Sequence, residues 1–323
     1  MIQINLFNSS ESQYRLPIVK AALKEFSNIK SENKQKVHLV VYFHEKNEEV
    51  WNELLYPVIE SGINVSVAAM QSDTYMDKVT IATQSEYPYL CKWDDDVFIN
   101  RHVWDFMIEN VSVVDRPDIG VLAPTLSNGI PSLGLFIEDF LNEAETSKVH
   151  EIFLKDNVVP DIWGCNHHAV YNAVKNMDHW DDKKYWKLVD MNNPIKNTNH
   201  PWYMFLAKGL HPGRFSYDYN MFLAKHAENN IEKLLEPNDY FLDTYKAPYF
   251  CNNLFISTTE FFRESQKLFF NHWDEGQMTV YMNLLDQVPM FVRNCYGIQP
   301  AYGCTVNQKE IENYYITNIF EKL

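Results

Sequence analysis

The chain has 323 residues, 46% hydrophobic, 15% aromatic and 22% charged, enough for one large domain with a substantial core. Its ten glycines form neither GxxxxGK[ST] nor GxGxxG, so a glycine loop that cradles phosphate is not expected. A net charge of -15 argues against broad binding to nucleic acid or anionic lipid, which takes a basic footprint.

The first hundred residues alternate between strand and helix, the pattern of an α/β domain. Ile2 to Phe7 reads as a strand ending in the turn-like Asn8-Ser9-Ser10. Tyr14 to Phe26 follows with Leu16, Val19, Leu23 and Phe26 at helical spacing. Val37 to Phe43 is a second strand and Glu48 to Ser61 a helix closed by Gly62. Ile63 to Ala69 is a third strand, Thr74 to Ser85 another helix, and Tyr87 to Trp93 a strand that delivers three carboxylates, Asp94-Asp95-Asp96. Asn100 to Asn110 is again helical. From Pro124 to Pro248 the text turns rich in Asn, His, Trp and Tyr, with weaker periodicity, and reads as a long insertion of short packed elements. Regularity returns at Tyr249 to Ile256, then in helices over Thr259 to Phe270 and Gln277 to Leu285, a last strand at Met290-Phe291-Val292, and an amphipathic tail over Ile311 to Phe320.

Side chains alternate faces along a strand, so an extended triplet turns Asp94 and Asp96 to one side and Asp95 to the other. Two converging carboxylates repel unless a cation lies between them, and hard oxygen ligands favour Mg²⁺ or Mn²⁺. The competing reading is an acidic turn of solvated aspartates. The triplet sits at a strand's carboxyl end, where open α/β sheets bind ligands. No run of about 18 apolar residues crosses a membrane, and Met1 to Asn5 begins as a strand without a leader. The five cysteines, Cys91, Cys165, Cys251, Cys295 and Cys304, lack CxxC spacing and read as free thiols in a reducing compartment. These features point to a cytoplasmic protein.

Four pieces, in order, resemble a glycosyltransferase of the GT-A fold, in the style of glycosyltransferase family 2. They are Ile4 to Ser10 with Arg15 to Leu23; Asp73 to Thr83 with Lys78; Trp93 to Ile99, which resembles the DXD motif; and Phe250 to Ile256 with Trp273-Asp274-Glu275. The resemblance covers about residues 1–115 and 245–295. It departs from the family at Phe43-His44-Glu45-Lys46, where an Asp is usual, at Cys251-Asn252-Asn253, where glycine is usual, and in the absence of a histidine from residues 293–307.

The resemblance implies a Rossmann-like mixed sheet flanked by helices over 1–323. Residues 1–115 would bind nucleotide-sugar and metal, 124–248 would recognise the acceptor, and 249–323 would form the acceptor-side core and C-terminal helix. It implies Mn²⁺ or Mg²⁺ on Asp94 and Asp96. A nucleotide-diphosphate sugar, a UDP-sugar by preference, would meet Asp95, Lys78, Ser9, Glu45 and Arg15. Asp274 or Glu275 would be the general base of an inverting transfer, with a helix N-cap as the plain alternative for Asp274. Trp163, His167, His168, Asn252 and Trp273 are acceptor-side candidates. For Lys78 and Arg15 the plain reading is a solvated helix face, and for Trp163 to His168 packed or surface residues. The acceptor expected is a glycan or similar hydroxyl, in a microbial or viral enzyme. Three other readings remain: transfer to a hydroxylated DNA base, a sugar-nucleotide-forming nucleotidyltransferase, and an inactive sugar-binding relative.

Overall fold

The computed structural model describes residues 1–8, 10–71, 74–129, 132–155, 216–245, 250, 253–268, 275–300 and 307–323. Eight strands form one sheet: β1 (Ile2–Phe7), β2 (Val37–His44), β3 (Asn64–Met70), β4 (Tyr89–Asp94), β5 (Ile119–Leu126), β6 (Phe241–Thr244), β7 (Leu254–Thr258) and β8 (Val288–Gly297). Their order is β3-β2-β1-β4-β7-β5-β8-β6. The expected Rossmann-like mixed sheet flanked by helices is what the chain forms. Parallel pairing joins β3, β2, β1 and β4, and again β5 and β8, while β7 runs antiparallel to both β4 and β5 and β6 runs antiparallel to β8.

The parallel strands read as nearly continuous apolar runs because helices cover both faces. β1 and β5 are buried along their whole length. Helix Leu16–Ser27 buries Ile18, Val19, Leu23 and Phe26 on one face, and Arg101–Glu109 adds Trp104 and Met107 to the same side of the sheet. Tyr75–Ala82, Thr259–Leu268 and Glu275–Leu284 cover the other side, around Phe255, Phe261, Phe262 and Met278. No described helix is long and apolar enough to cross a membrane. Cys91 and Cys295 are buried free thiols, as expected; the other three cysteines lie outside the described residues.

Several boundaries differ from those expected. β5 and β6 were not anticipated as strands, and they stand at the two ends of the stretch 124–248. The same stretch carries regular helices at Ser132–Phe140, Glu143–Lys155 and Tyr217–Glu228. β8 runs five residues past Val292, through Arg293 and Asn294. Arg293 lies in the sheet because Asp139 takes its guanidinium at 2.6 Å and Asp243 at 3.2 Å. Asn294 takes a left-handed φ of 57°, a conformation Asn tolerates better than most residues.

Candidate functional site

β4 ends at Asp94, and the chain then turns: the Val97 amide donates to the Asp94 carbonyl at 3.2 Å. The turn is fixed from three sides. The Asp94 amide donates to the Asn253 carbonyl at 3.0 Å, Phe98 and Ile298 exchange backbone hydrogen bonds at 2.9 and 2.8 Å, and Trp93 Nε1 donates to the Val97 carbonyl at 3.2 Å. Trp93 is locked in turn between Phe26 and Trp104, at ring-centroid distances of 5.7 and 4.9 Å.

This turn corrects the expectation that Asp95 faces away from Asp96. Past Asp94 the strand alternation no longer holds, and Asp95 and Asp96 meet the same guanidinium. Arg15 Nη1 lies 3.0 Å from Asp95 Oδ1 and 3.7 Å from Asp96 Oδ2. Since β1 pairs with β4 through Phe7 and Asp94, the next residue of each strand falls alongside, and Asn8 Nδ2 donates to Asp95 Oδ2 at 2.7 Å. Asp94 instead accepts from Lys92 Nζ at 2.6 Å, two residues back on the same face of β4. Lys92 is buried and lies 5.7 Å from the Tyr75 ring centroid. The other lysine, Lys78, donates to the Asn8 carbonyl at 2.6 Å and is only 3% exposed. A solvated helix face is therefore the wrong reading for both Lys78 and Arg15.

Arg15 has a partner that the sequence reading did not name. Its Nη2 lies 2.9 Å from Oε1 of Glu312, a carboxylate with no exposed surface on helix Gln308–Asn318. Within these contacts one guanidinium faces three carboxylates, Asp95, Asp96 and Glu312. Asp96 Oδ1 and Glu312 Oε2 are buried and accept no hydrogen bond among the described residues. Burial, opposed by Arg15 and reinforced by Asp95 and Asp94, lifts the Asp96 carboxyl to about 7. The Arg15 guanidinium, among these carboxylates, is held above its ordinary value despite burial.

The competing picture of a solvated acidic turn is thus excluded for Asp95 and Asp96, which are 6% and 5% exposed. Among the described residues no group of three or more His, Cys, Asp or Glu is arranged to hold a metal ion by itself. An open site is the other arrangement: Mg²⁺ commonly takes one or two carboxylates and completes its shell with waters and substrate phosphates. Asp96 Oδ1, without a partner among the described residues, and the neighbouring Asp94 charge fit such a cation.

Of the remaining candidates, Glu45 is exposed in a short turn after β2, at the same carboxyl edge of the sheet. Glu275 enters only as the first residue of helix Glu275–Leu284. Ser9, Trp163, His167, His168, Asn252, Trp273 and Asp274 lie outside the described residues. Three members of the cluster went unnamed in the sequence reading. The sequence marks Asn8 only as a turn residue and Lys92 only as part of a strand. Glu312 keeps helical spacing with Tyr315, Ile316 and Ile319 and so shares their buried face, which is a legible signal.

No family model matches the chain, and no curated protein matches it. Among solved structures, mouse xyloside xylosyltransferase 1 in its apo form matches with a TM-score of 0.37 and 12% identity, over 90% of this chain and 84% of that one. A mannosyltransferase from Pyrobaculum calidifontis in complex with GDP-Man and Mn²⁺ matches with a TM-score of 0.32 and 10% identity, over 88% and 85%. A cytidylyltransferase from Leptospira borgpetersenii matches with a TM-score of 0.28 and 17% identity, over 38% of this chain; the match spans about half of that protein, 52%. All three TM-scores are below 0.5, and the functional reading rests on the geometry of the cluster.

Proposed function

We propose that the chain is a glycosyltransferase that moves a sugar from a nucleoside diphosphate to a hydroxyl acceptor, with Mn²⁺ or Mg²⁺ held by Asp94 and Asp96. The observation that carries this reading is the buried cluster at the carboxyl ends of β1 and β4, one guanidinium against three carboxylates, with Asp96 Oδ1 unpartnered among the described residues. A divalent cation bound there would act as a Lewis acid on the diphosphate leaving group.

The chain's own residues then divide the remaining work. Lys78 and Arg15 supply positive charge beside the diphosphate, and Asn8 holds Asp95 at the wall of the site. Asp95 and Glu45, at the strand ends, are proposed to meet the ribose or base, with Ser9, which follows Asn8 in the sequence. UDP is the favoured donor nucleotide. For an inverting transfer, Asp274 or Glu275 takes the proton from the acceptor hydroxyl. A carboxylate at the start of a helix is kept ionised by the helix dipole, and Glu275 opens helix Glu275–Leu284. Residues 124–248, with Trp163, His167 and His168, together with Asn252 and Trp273, are proposed to bind the acceptor, a glycan or related polyol. A net charge of -15 makes a DNA base the less favoured acceptor.

The test is a thermal-shift screen of UDP-sugars, GDP-sugars, free nucleoside diphosphates and CTP, each with and without Mn²⁺. Stabilisation by one sugar-nucleotide class that requires Mn²⁺ supports the reading and names the base. Preference for CTP would replace it with a nucleotidyltransferase, and no shift with any of them would leave a binding-only protein. With the donor known, Asp274→Asn and Glu275→Gln identify the base, whose loss slows turnover by about 10²–10⁴-fold.

A further inference from the structure

Glu312 is an expensive residue in an unexpected place. Helix Gln308–Asn318 buries Ile311, Tyr315 and Ile316 against the core, and Glu312 lies fully buried among them. An aliphatic side chain there would avoid the desolvation cost of a buried carboxylate. Its only salt-bridge partner among the described residues is Arg15, at 2.9 Å, and Gln308 Nε2 donates to the same Oε1 at 3.0 Å. The guanidinium is planar, so fixing Nη2 on Glu312 and Nη1 on Asp95 fixes its plane. In that orientation Nη1 approaches Asp96 only on its Oδ2 side, at 3.7 Å, and Oδ1 is left bare.

We propose that Glu312 is a positioning residue for the cation site: by holding the far nitrogen of Arg15, it keeps the guanidinium from closing on Asp96 and so leaves Oδ1 without a cationic partner, for a divalent cation to take. This rests on the reading of Asp94 and Asp96 as the cation's ligands. Without the Glu312 charge, the fork of Arg15 is free to pair fully with Asp95 and Asp96, and it then competes with the metal for the same oxygens. Helix Gln308–Asn318 is thereby coupled to a site built on β1 and β4, through one side chain.

The experiment is an electron paramagnetic resonance titration of Mn²⁺ against the full chain without donor. It compares the wild type, Glu312→Gln, Arg15→Gln and the double variant, each checked for a cooperative melt. Glu312→Gln should weaken Mn²⁺ binding on the order of tenfold, as expected for a displaced unit charge in a partly buried site. Arg15→Gln should bind Mn²⁺ at least as tightly as wild type. In the Arg15→Gln background the Glu312 substitution should change the affinity less than about twofold, because the competing cation is gone. A purely structural Glu312 would lower the melting temperature and leave Mn²⁺ affinity unchanged, which overturns the proposal. An equal loss in both backgrounds also overturns it, since the carboxylate would then act by its own charge. If Glu312→Gln fails to fold, Glu312→Asp, one methylene too short to hold Arg15 as well, should show a smaller loss of Mn²⁺ affinity, and none would refute the idea. Wild type that binds no Mn²⁺ removes the metal reading itself, an outcome distinct from wild type that binds and a variant that matches it.

Discussion

Asp96→Asn should make the metal-free protein more stable at neutral pH while removing its response to Mn²⁺. The Asp96 carboxyl moves from an ordinary 3.8 to about 7, first because burial penalises its charge, with Arg15 opposing and Asp95 and Asp94 adding to the rise. Three units at 1.36 kcal/mol each place the cost of the ionised group at about 4 kcal/mol. An amide left short of a partner returns about 1–3 kcal/mol of that, for a net gain of about 1–3 kcal/mol. With about 2.1 cal/mol/K of unfolding entropy per residue over 323 residues, this is a rise in Tm of about 2–4 °C. The folded protein holds this proton more tightly than the unfolded chain does. Its stability is therefore complete near pH 4 and is lost as pH rises toward 7. The assay is differential scanning fluorimetry in EDTA from pH 4 to 7.5, repeated with saturating Mn²⁺. The gap between variant and wild type should open with rising pH, and Mn²⁺ should close it by stabilising the wild type alone, by about 2.7 kcal/mol at a hundredfold excess over Kd. A gap independent of pH, or a variant less stable than wild type at pH 7 in EDTA, would refute the charge reasoning.

Arg293→Met should cost about 3–5 kcal/mol, measured by urea unfolding, because it strands the buried Asp139 carboxylate that Arg293 holds at 2.6 Å. Gly297→Ala should destabilise by about 1–3 kcal/mol in the same assay, since a new methyl would lie 2.6 Å from both the Thr125 carbonyl and Leu126 Cδ2. His226 is buried, and its Nδ1 shares a hydrogen bond with the Tyr296 hydroxyl at 2.5 Å. Burial pulls it below its ordinary value against the pull of Glu145, so its contribution is complete above pH 6.5 and is lost as pH falls below that. His226→Gln should flatten the Tm-versus-pH curve between pH 5 and 6.5, and an unchanged slope there would assign the dependence to His38 or His102, which shift the same way.

How far the sequence was legible follows from the physics of each element. The parallel half, β1 to β4 and its helices, was read nearly to the residue, because buried parallel strands are continuous apolar runs and the helices between them carry clear periodicity. β5 was missed because Gly120 and Pro124 interrupt it, and proline in a sequence argues against a central strand. Yet Pro124 pairs with Val292 beside a register shift that absorbs it. β8 was cut short at Val292 because arginine and asparagine read as a strand end, whereas Arg293 brings its own carboxylates. At the site, the acidic triplet and Lys78 were legible from motif order. The facing of Asp95 was not, because it depends on a turn fixed by Asn253 and Ile298, far along the chain. Glu312 escaped because a lone glutamate is seldom fully buried, and its partner lies almost three hundred residues away.

β7 lies between β4 and β5, yet it begins at Leu254, long after both have left the ribosome. Until then the strand that carries the acidic triplet has one edge unpaired, and the Asp94 amide has no Asn253 carbonyl to meet. A nascent chain that stops short of this point holds every proposed metal and donor residue from Asn8 to Asp96, but neither the Asn253 carbonyl that fixes the Asp94 turn nor the Glu312 carboxylate that holds Arg15. Such late, non-local pairing slows folding and exposes sticky edges on the way. Synthesis of β7 and of the helix that carries Glu312 is the step at which a string of suitable side chains first becomes a site.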